Sequence, residues 1–298
     1  MRLLSHDRYC AEILVQTDQL RLRVADADLT APVPSCPGWD LGRLVRHLGG
    51  AHRWIETAVR TQGTRLLIEE DPYGAAGPGG PDSPGAKDPA VLGEWLAEGA
   101  GMLVESLRAA GPEGSVWTVV PGHAESSWAR RMLHDTLLHR ADAELALGVR
   151  CEVAPDLAAD AIEEWLELAS LPPLLAAEPA LAEQVLAELL GPGRTLRLRG
   201  DGGIAGGAAG GAGAVPEAAT GAAAADWLVD LTGDAPRWHR LGEGAAPAEA
   251  AVTVHGAPAE LLLLVYGRRS VREDAFRLSG DAALFDDWRV RAGSWHRG

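Results

Sequence analysis

Residues 128–147, WARRMLHDTLLHRADAELAL, constrain the fold of this chain more than any other stretch. Apolar residues recur there at close to the helical period, which predicts one long helix. Asp135 and His139 are four residues apart, so their side chains share one face of that helix. A carboxylate and an imidazole on one face make up half of a divalent-metal site. The same pair is also typical of an ion pair or a solvated polar stripe, and this helix alone does not decide between them.

A second helix is predicted from Leu41 to about Thr61, with Asp40 placed to cap its first turn. Its buried stripe consists of Leu44, Val45, Leu48, Ala51 and Ile55. His47 falls among these positions and therefore faces inward, either as a metal ligand or as a hydrogen-bonded core residue. His52 follows five residues later, about 140° round the helix from His47, so it is not expected to share the same site.

Two more helices are predicted over Ser5–Ala27 and Ala90–Ala110. Four helices of similar length predict a four-helix bundle, and facing helices in a bundle core are a common place for a metal site. His47, Asp135 and His139 would then form a three-ligand set. Zinc takes such a set in catalytic sites and keeps a fourth position open. Fe(II) accepts the same donors.

Two neighbours of these ligands are expected to have other roles. His134 precedes Asp135 directly and points about 100° away from it on the helix, which favours a structural role. Arg140 follows His139 and is expected to be a surface charge.

The second half of the chain predicts a small α+β domain. Helices are expected over Asp156–Ser170, Ala180–Leu190, Pro258–Tyr266 and Asp281–Trp288. Strands are expected over Thr195–Arg199, Trp227–Leu231, Arg237–Leu241, Ala251–His255 and Phe276–Ser279. Residues 201–225 are almost wholly Gly and Ala, which predicts a loop and no dinucleotide-binding fingerprint.

Charge and cysteine content exclude several classes of function. Lys and Arg number 27 against 42 Asp and Glu, a net charge of −15, which opposes binding to nucleic acids and to anionic membranes. Three cysteines without a C-x-x-C pair, Cys10, Cys36 and Cys151, suggest neither a disulfide framework nor a cysteine zinc site. The longest aliphatic run, Leu261–Val265, is too short to span a bilayer. With no signal-peptide pattern at the N-terminus, a cytoplasmic protein is expected.

Three blocks of sequence resemble, in order, the mycothiol-dependent maleylpyruvate isomerase family. They are VPSCPGWDLGRLVRHLGGAHRW, then WARRMLHDTLLHRADAE, then WLVDLTG with VTVHGAPAELLLLVYGRR. The resemblance implies a DinB-like metal-binding four-helix bundle over residues 1–152 and a smaller α+β domain, with connecting helices, over residues 153–298. It also implies that zinc, or another divalent metal, is held by His47, Asp135 and His139. Asp135 stands where the family pattern has Glu, so this carboxylate is one methylene shorter.

The resemblance further implies that the small thiol mycothiol is the cosubstrate. A thiol at the open zinc position loses its proton because the metal stabilises the thiolate. The thiolate can add to the double bond of an electrophilic small molecule, and rotation followed by loss of the thiolate gives cis–trans isomerisation. If the adduct is released instead, the result is thiol transfer. The expected protein is therefore a zinc-dependent isomerase or S-transferase.

Arg268 and Arg269, at the end of the last block, are candidate catalytic residues that would clamp a substrate carboxylate. Their alternative role is to complement the C-terminus of the preceding helix. Two other functions also remain open: a non-catalytic metal- or ligand-binding regulator or carrier, and a DinB-like metal-dependent hydrolase with water as the nucleophile. The sequence does not determine the oligomeric state.

Overall fold

The structure is a computed structural model, which describes residues 4–61, 88–112, 128–171, 179–200, 225–242 and 249–293. The chain divides into two compact units, Arg2–Cys151 and Glu152–Gly298. The predicted loop over residues 201–225 lies outside the described residues except for its last member. No helix in the described ranges is long and apolar enough to cross a membrane.

The N-terminal unit is a bundle of four helices, as predicted. They are α1 (His6–Val24), α2 (Leu41–Arg60), α3 (Pro89–Ala110) and α4 (Trp128–Ala146). Three of them begin at a capping side chain that accepts a hydrogen bond from the first turn: Ser5 for α1, Asp40 for α2 and Asp88 for α3. Such caps satisfy backbone N–H groups that the helix itself leaves unpaired.

The bundle core forms where α2 packs on α3 and α4, while α1 packs on α3 and α4. The predicted stripe of α2 is buried, with Leu44, Val45 and Leu48 fully enclosed. Helix α2 approaches α3 so closely that a Cβ on Gly49 would lie 2.1 Å from the Trp95 ring. This close packing fixes the height and rotation of α2, and therefore the position of His47.

The segment between α1 and α2 makes a tight turn over Cys36–Trp39. The Trp39 N–H donates to the Cys36 carbonyl at 3.0 Å, and Gly38 between them has φ of 82°. Proline followed by a glycine of positive φ is the pattern of a type II turn. A further hydrogen bond from Val33 N–H to the Trp39 carbonyl, at 2.9 Å, holds the turn against the start of α2.

The C-terminal unit combines helices with one five-stranded sheet. Its helices are α5 (Pro155–Ala169), α6 (Pro179–Leu189), α7 (Pro258–Val265) and α8 (Ala282–Ala292). Its strands are β1 (Thr195–Gly200), β2 (Asp226–Asp230), β3 (Arg237–Arg240), β4 (Val252–Gly256) and β5 (Arg277–Gly280). Every predicted helix and strand in this unit has a counterpart, displaced by a few residues at most. The predicted α+β class is confirmed.

The sheet is mixed, with strand order β3-β2-β1-β4-β5. Strands β1 and β4 pair in parallel, and the other neighbours are antiparallel. Helix α7 follows the central pair and packs on α5, with its five consecutive residues Leu261–Val265 buried. The apolar run that is too short for a membrane thus serves as a core helix.

Candidate functional site

The structure brings His47, Asp135 and His139 together in the N-terminal unit. Helix α2 supplies His47 and helix α4 supplies the other two residues. The imidazole rings of His47 and His139 lie 5.1 Å apart between centroids, in an edge-to-face arrangement. Asp135 Oδ1 lies 3.9 Å from His139 Nε2. The four-residue spacing on α4 therefore places the carboxylate and this ring nitrogen side by side.

The charges around Asp135 keep its carboxylate ionised. Burial by itself would raise the pKa of Asp135, but His139 and Arg131 outweigh it, with smaller contributions from His47 and His52, so the pKa is lowered. The Arg131 guanidinium lies 3.6 Å from Asp135 Oδ1, the same oxygen that faces His139. An ionised carboxylate is the form of Asp135 that a divalent cation requires of its ligands.

The other nitrogen of His139 is held by a residue that the sequence did not point to. His139 Nδ1 lies 3.2 Å from Asp142 Oδ2, and the Asp142 carboxylate is fully buried. The Cys36 thiol donates to the same oxygen over 3.7 Å. Histidines that bind a metal through one ring nitrogen commonly donate a hydrogen bond from the other nitrogen to a carboxylate.

Trp39 covers the two imidazoles. Its ring centroid lies 4.7 Å from that of His47 and 6.2 Å from that of His139, nearly parallel to the latter. The turn over Cys36–Trp39 places the indole there, and the guanidinium of Arg43 lies over its ring at 5.0 Å. The indole therefore forms one wall of the site.

His52 is fully buried and lies closer to the site than its position on the helix predicted. The Thr136 hydroxyl donates to the Met132 carbonyl at 2.6 Å, so it accepts from His52 Nε2, 2.9 Å away. Burial, partly opposed by Asp135, lowers the pKa of His52 to about 4. His52 is therefore neutral at pH 7, and its Nδ1 has no hydrogen-bond partner among the described residues.

The roles predicted for His134 and Arg140, the neighbours of the proposed ligands, compare differently with the structure. His134 is fully buried and packs edge-on against Tyr9 at 6.5 Å, which suits a structural role. The expectation that Arg140 is a surface charge is wrong. Its side chain is buried and contacts both carboxylate oxygens of Glu144 at 2.9 Å, so its charge is neutralised inside the bundle.

Arg268 and Arg269 belong to the C-terminal unit and have partners there. Arg269 bridges Glu260 at 3.2 Å and Glu273 at 3.1 Å. Arg268 donates to the Tyr266 carbonyl at 2.9 Å. The contact of Arg268 is with the C-cap of α7, whereas Arg269 pairs with a carboxylate in the first turn of α7 and with one beyond its end. Binding of a substrate carboxylate by either residue stays a prediction.

The donor types of the cluster fit zinc, but its distances are not yet those of coordination. Zinc holds N and O ligands at about 2.1 Å, so two ligands of one tetrahedral ion lie about 3.4 Å apart. The 3.9 Å between Asp135 and His139 is longer than this by about half an ångström. The described residues contain no group of three or more His, Cys, Asp or Glu in metal-binding geometry. Metal binding at this cluster therefore requires its side chains to move closer together.

The N-terminal unit is, by fold and by this cluster, a DinB-like four-helix bundle with a candidate metal site. Residues 10–144 match the family model of the mycothiol maleylpyruvate isomerase N-terminal domain. The resemblance drawn from the motifs is confirmed for this part of the chain.

The whole chain also resembles a solved structure. The crystal structure of the mycothiol-dependent maleylpyruvate isomerase aligns over 95% of this chain and 98% of that chain, with a TM-score of 0.52 and 14% sequence identity. At this identity the likeness concerns the fold. No curated protein sequence matches the chain with significance.

Proposed function

We propose that this protein is a zinc-dependent enzyme that uses mycothiol to isomerise an unsaturated acid of the maleylpyruvate type or to transfer the thiol to an electrophile. The single observation that carries the proposal is the cluster of His47, Asp135 and His139 within a bundle of the mycothiol maleylpyruvate isomerase N-terminal domain family. The likeness of the whole fold to the mycothiol-dependent maleylpyruvate isomerase supports it.

In the proposed mechanism, His47, Asp135 and His139 would hold the zinc ion. A zinc ion bound there would stabilise a thiolate at neutral pH, which is the nucleophile. The ionised Asp135 would offset part of the metal charge, and Trp39 packs against both imidazoles. Arg131, close to Asp135, adds a positive charge beside the proposed site.

The metal part of the proposal is tested by elemental analysis of the purified protein and of His139→Ala. We expect about one zinc per chain in the wild type, since three protein ligands and one open position form a catalytic site. The variant should lose almost all of it. Equal metal content in both proteins, or none in either, would show that Asp135 and His139 are only a polar pair.

The thiol part is tested by mixing the zinc-loaded protein with maleylpyruvate and following formation of the trans isomer with and without mycothiol. Thiol transfer is followed in parallel with a thiol-reactive electrophile such as monobromobimane. We expect turnover only when mycothiol is present. Hydrolysis of a substrate without any thiol would instead favour the metal-dependent hydrolase, and zinc binding without turnover would favour a regulator or carrier.

The cytoplasmic location expected from the sequence stays a prediction.

A further inference from the structure

Asp142 is a buried carboxylate that the proposed mechanism does not use. It lies on α4, three residues beyond His139, and its side chain is completely shielded from solvent. Removing a carboxylate from water is costly unless hydrogen bonds or charges compensate for it. Two donors converge on its Oδ2 atom, His139 Nδ1 at 3.2 Å and the Cys36 thiol at 3.7 Å.

The contact with His139 has a consequence for the far side of the ring. When the Asp142 carboxylate is ionised it only accepts hydrogen bonds, so His139 then carries its proton on Nδ1 to make this one. In a neutral imidazole the proton on one nitrogen leaves a lone pair on the other. That other nitrogen is Nε2, which lies 3.9 Å from Asp135 Oδ1. Asp142 and Asp135 therefore lie at opposite nitrogens of one ring.

We infer that Asp142 is a positioning residue that holds His139 in the Nδ1–H tautomer, with its Nε2 lone pair directed to the metal site. The carboxylate also restricts rotation of the ring and increases the electron-donating power of Nε2. This inference rests on the proposed zinc site. In this proposal Asp142 does not contact the metal, the thiol or the substrate, but it increases the affinity of the site for the metal.

The first test reads the tautomer in metal-free protein, so that it does not depend on zinc. Nitrogen-15 NMR of the imidazole side chains at about pH 8, above the ordinary titration range of histidine, distinguishes Nδ1–H from Nε2–H. Wild-type His139 should be in the Nδ1–H form. In Asp142→Asn the amide can donate as well as accept, so a substantial Nε2–H population should appear. A wild-type His139 in the Nε2–H form would overturn the inference, whether or not the variant folds.

The second test compares zinc affinity, measured by competition with a chromophoric chelator. Asp142→Asn should raise the Kd for zinc by about 10- to 100-fold. Cys36→Ala is the matched control, because it removes a second described donor to Oδ2 and leaves the contact with His139. Its Kd should change by less than about threefold. Circular dichroism of the metal-free proteins checks that both variants are folded.

The outcomes separate this inference from the proposed function. If wild-type protein binds no zinc while His139 is in the Nδ1–H form, the metal site fails and the pairing with Asp142 is purely structural. If zinc binds with the same Kd in wild type and in folded Asp142→Asn, the metal site stands and the positioning role is refuted. An equal loss of affinity in Cys36→Ala would also refute it, because the effect would then follow from general disturbance of the buried carboxylate.

Discussion

Three residues on α4 have different roles in the candidate site, and their spacing along the helix places them next to one another. Asp135, His139 and Asp142 follow one another at intervals of four and three, so all three lie along one face. The first is ionised beside the basic groups of the site, and the last holds Nδ1 of the histidine between them. Because each residue contacts the next, substitutions at the three positions should have coupled and not additive effects on metal affinity.

His52 gives the site an acid-sensitive neighbour at the residue scale. Its pKa is about 4 in the folded protein and about 6.5 in an unfolded chain. Between these values the unfolded chain binds a proton that the folded protein does not, so protonation favours unfolding. The contribution of neutral His52 to the free energy of unfolding is complete above about pH 6.5 and is lost as the pH falls towards 4. The loss amounts to about 3 kcal/mol at most.

The comparison protein for this prediction is His52→Gln, which can still donate to the Thr136 hydroxyl but does not titrate. The free energy of unfolding of both metal-free proteins should be measured by urea denaturation at intervals from pH 7.5 to about 4. The wild type should lose stability more steeply than the variant below about pH 6.5. Parallel curves would mean that His52 is protonated equally in both states and is not buried as the structure has it.

At the scale of helices and strands, the periodicity of the sequence predicts most of the helices and strands that the structure contains. Predicted α2, Leu41 to Thr61, ends within a residue of the observed helix, because the apolar stripe and the Asp40 cap mark its limits. The last helix was predicted to end at Trp288 but continues to Ala292. An ion pair between Asp287 and Arg291 at 2.6 Å, four residues apart, supports the additional turn.

Strand order and buried polar pairs were not predictable in the same way. The parallel pairing of β1 with β4 joins segments far apart in sequence, and no local pattern encodes it. Long cationic side chains are mostly exposed, so the sequence by itself predicts a surface position for Arg140. Its partner Glu144 stands four residues later, and that spacing was the available signal. Asp142 could have been noticed three residues after His139, but only contact distances show that it holds Nδ1.

Helix α2 depends on glycine for its approach to α3. Gly49→Ala would place a methyl group 2.1 Å from the Trp95 ring, and the indole is further fixed because the Arg53 guanidinium lies 4.1 Å over it. The helices must then separate, which should cost about 1–3 kcal/mol in the free energy of unfolding. Since His47 is two residues away, zinc affinity should fall as well.

Gly101→Ala on α3 is the matched control for this substitution, because no described atom beyond the adjacent residues and the backbone of its own helix lies within 4 Å of the added methyl group. Alanine in an exposed helix interior should stabilise the protein by about 0.5–1 kcal/mol. Both variants are compared with wild type by urea denaturation followed through tryptophan fluorescence. Equal stability of Gly49→Ala and Gly101→Ala would contradict the close packing of α2 on α3.

At the scale of the whole molecule, the proposed metal ligands belong to one unit of the chain and the two candidate catalytic arginines to the other. His47, Asp135, His139 and Asp142 all lie within Arg2–Cys151, and Arg268 and Arg269 lie within Glu152–Gly298. The net charge of −15 attracts divalent cations to the chain in general. Stabilisation by zinc is therefore informative only if its place in the chain is known.

Hydrogen exchange measured by mass spectrometry, with and without zinc, locates that stabilisation. At a free zinc concentration of 100 times the Kd, binding should stabilise the folded state by about 2.7 kcal/mol. Because α2 and α4 supply all the proposed ligands, slower exchange is expected in peptides from residues 41–60 and 128–146. Peptides from the sheet of the C-terminal unit should be unchanged. His139→Ala, treated identically, should show no zinc effect in any peptide. Protection spread evenly over both units, or retained in that variant, would mean that zinc binds through the general negative charge and not at this cluster.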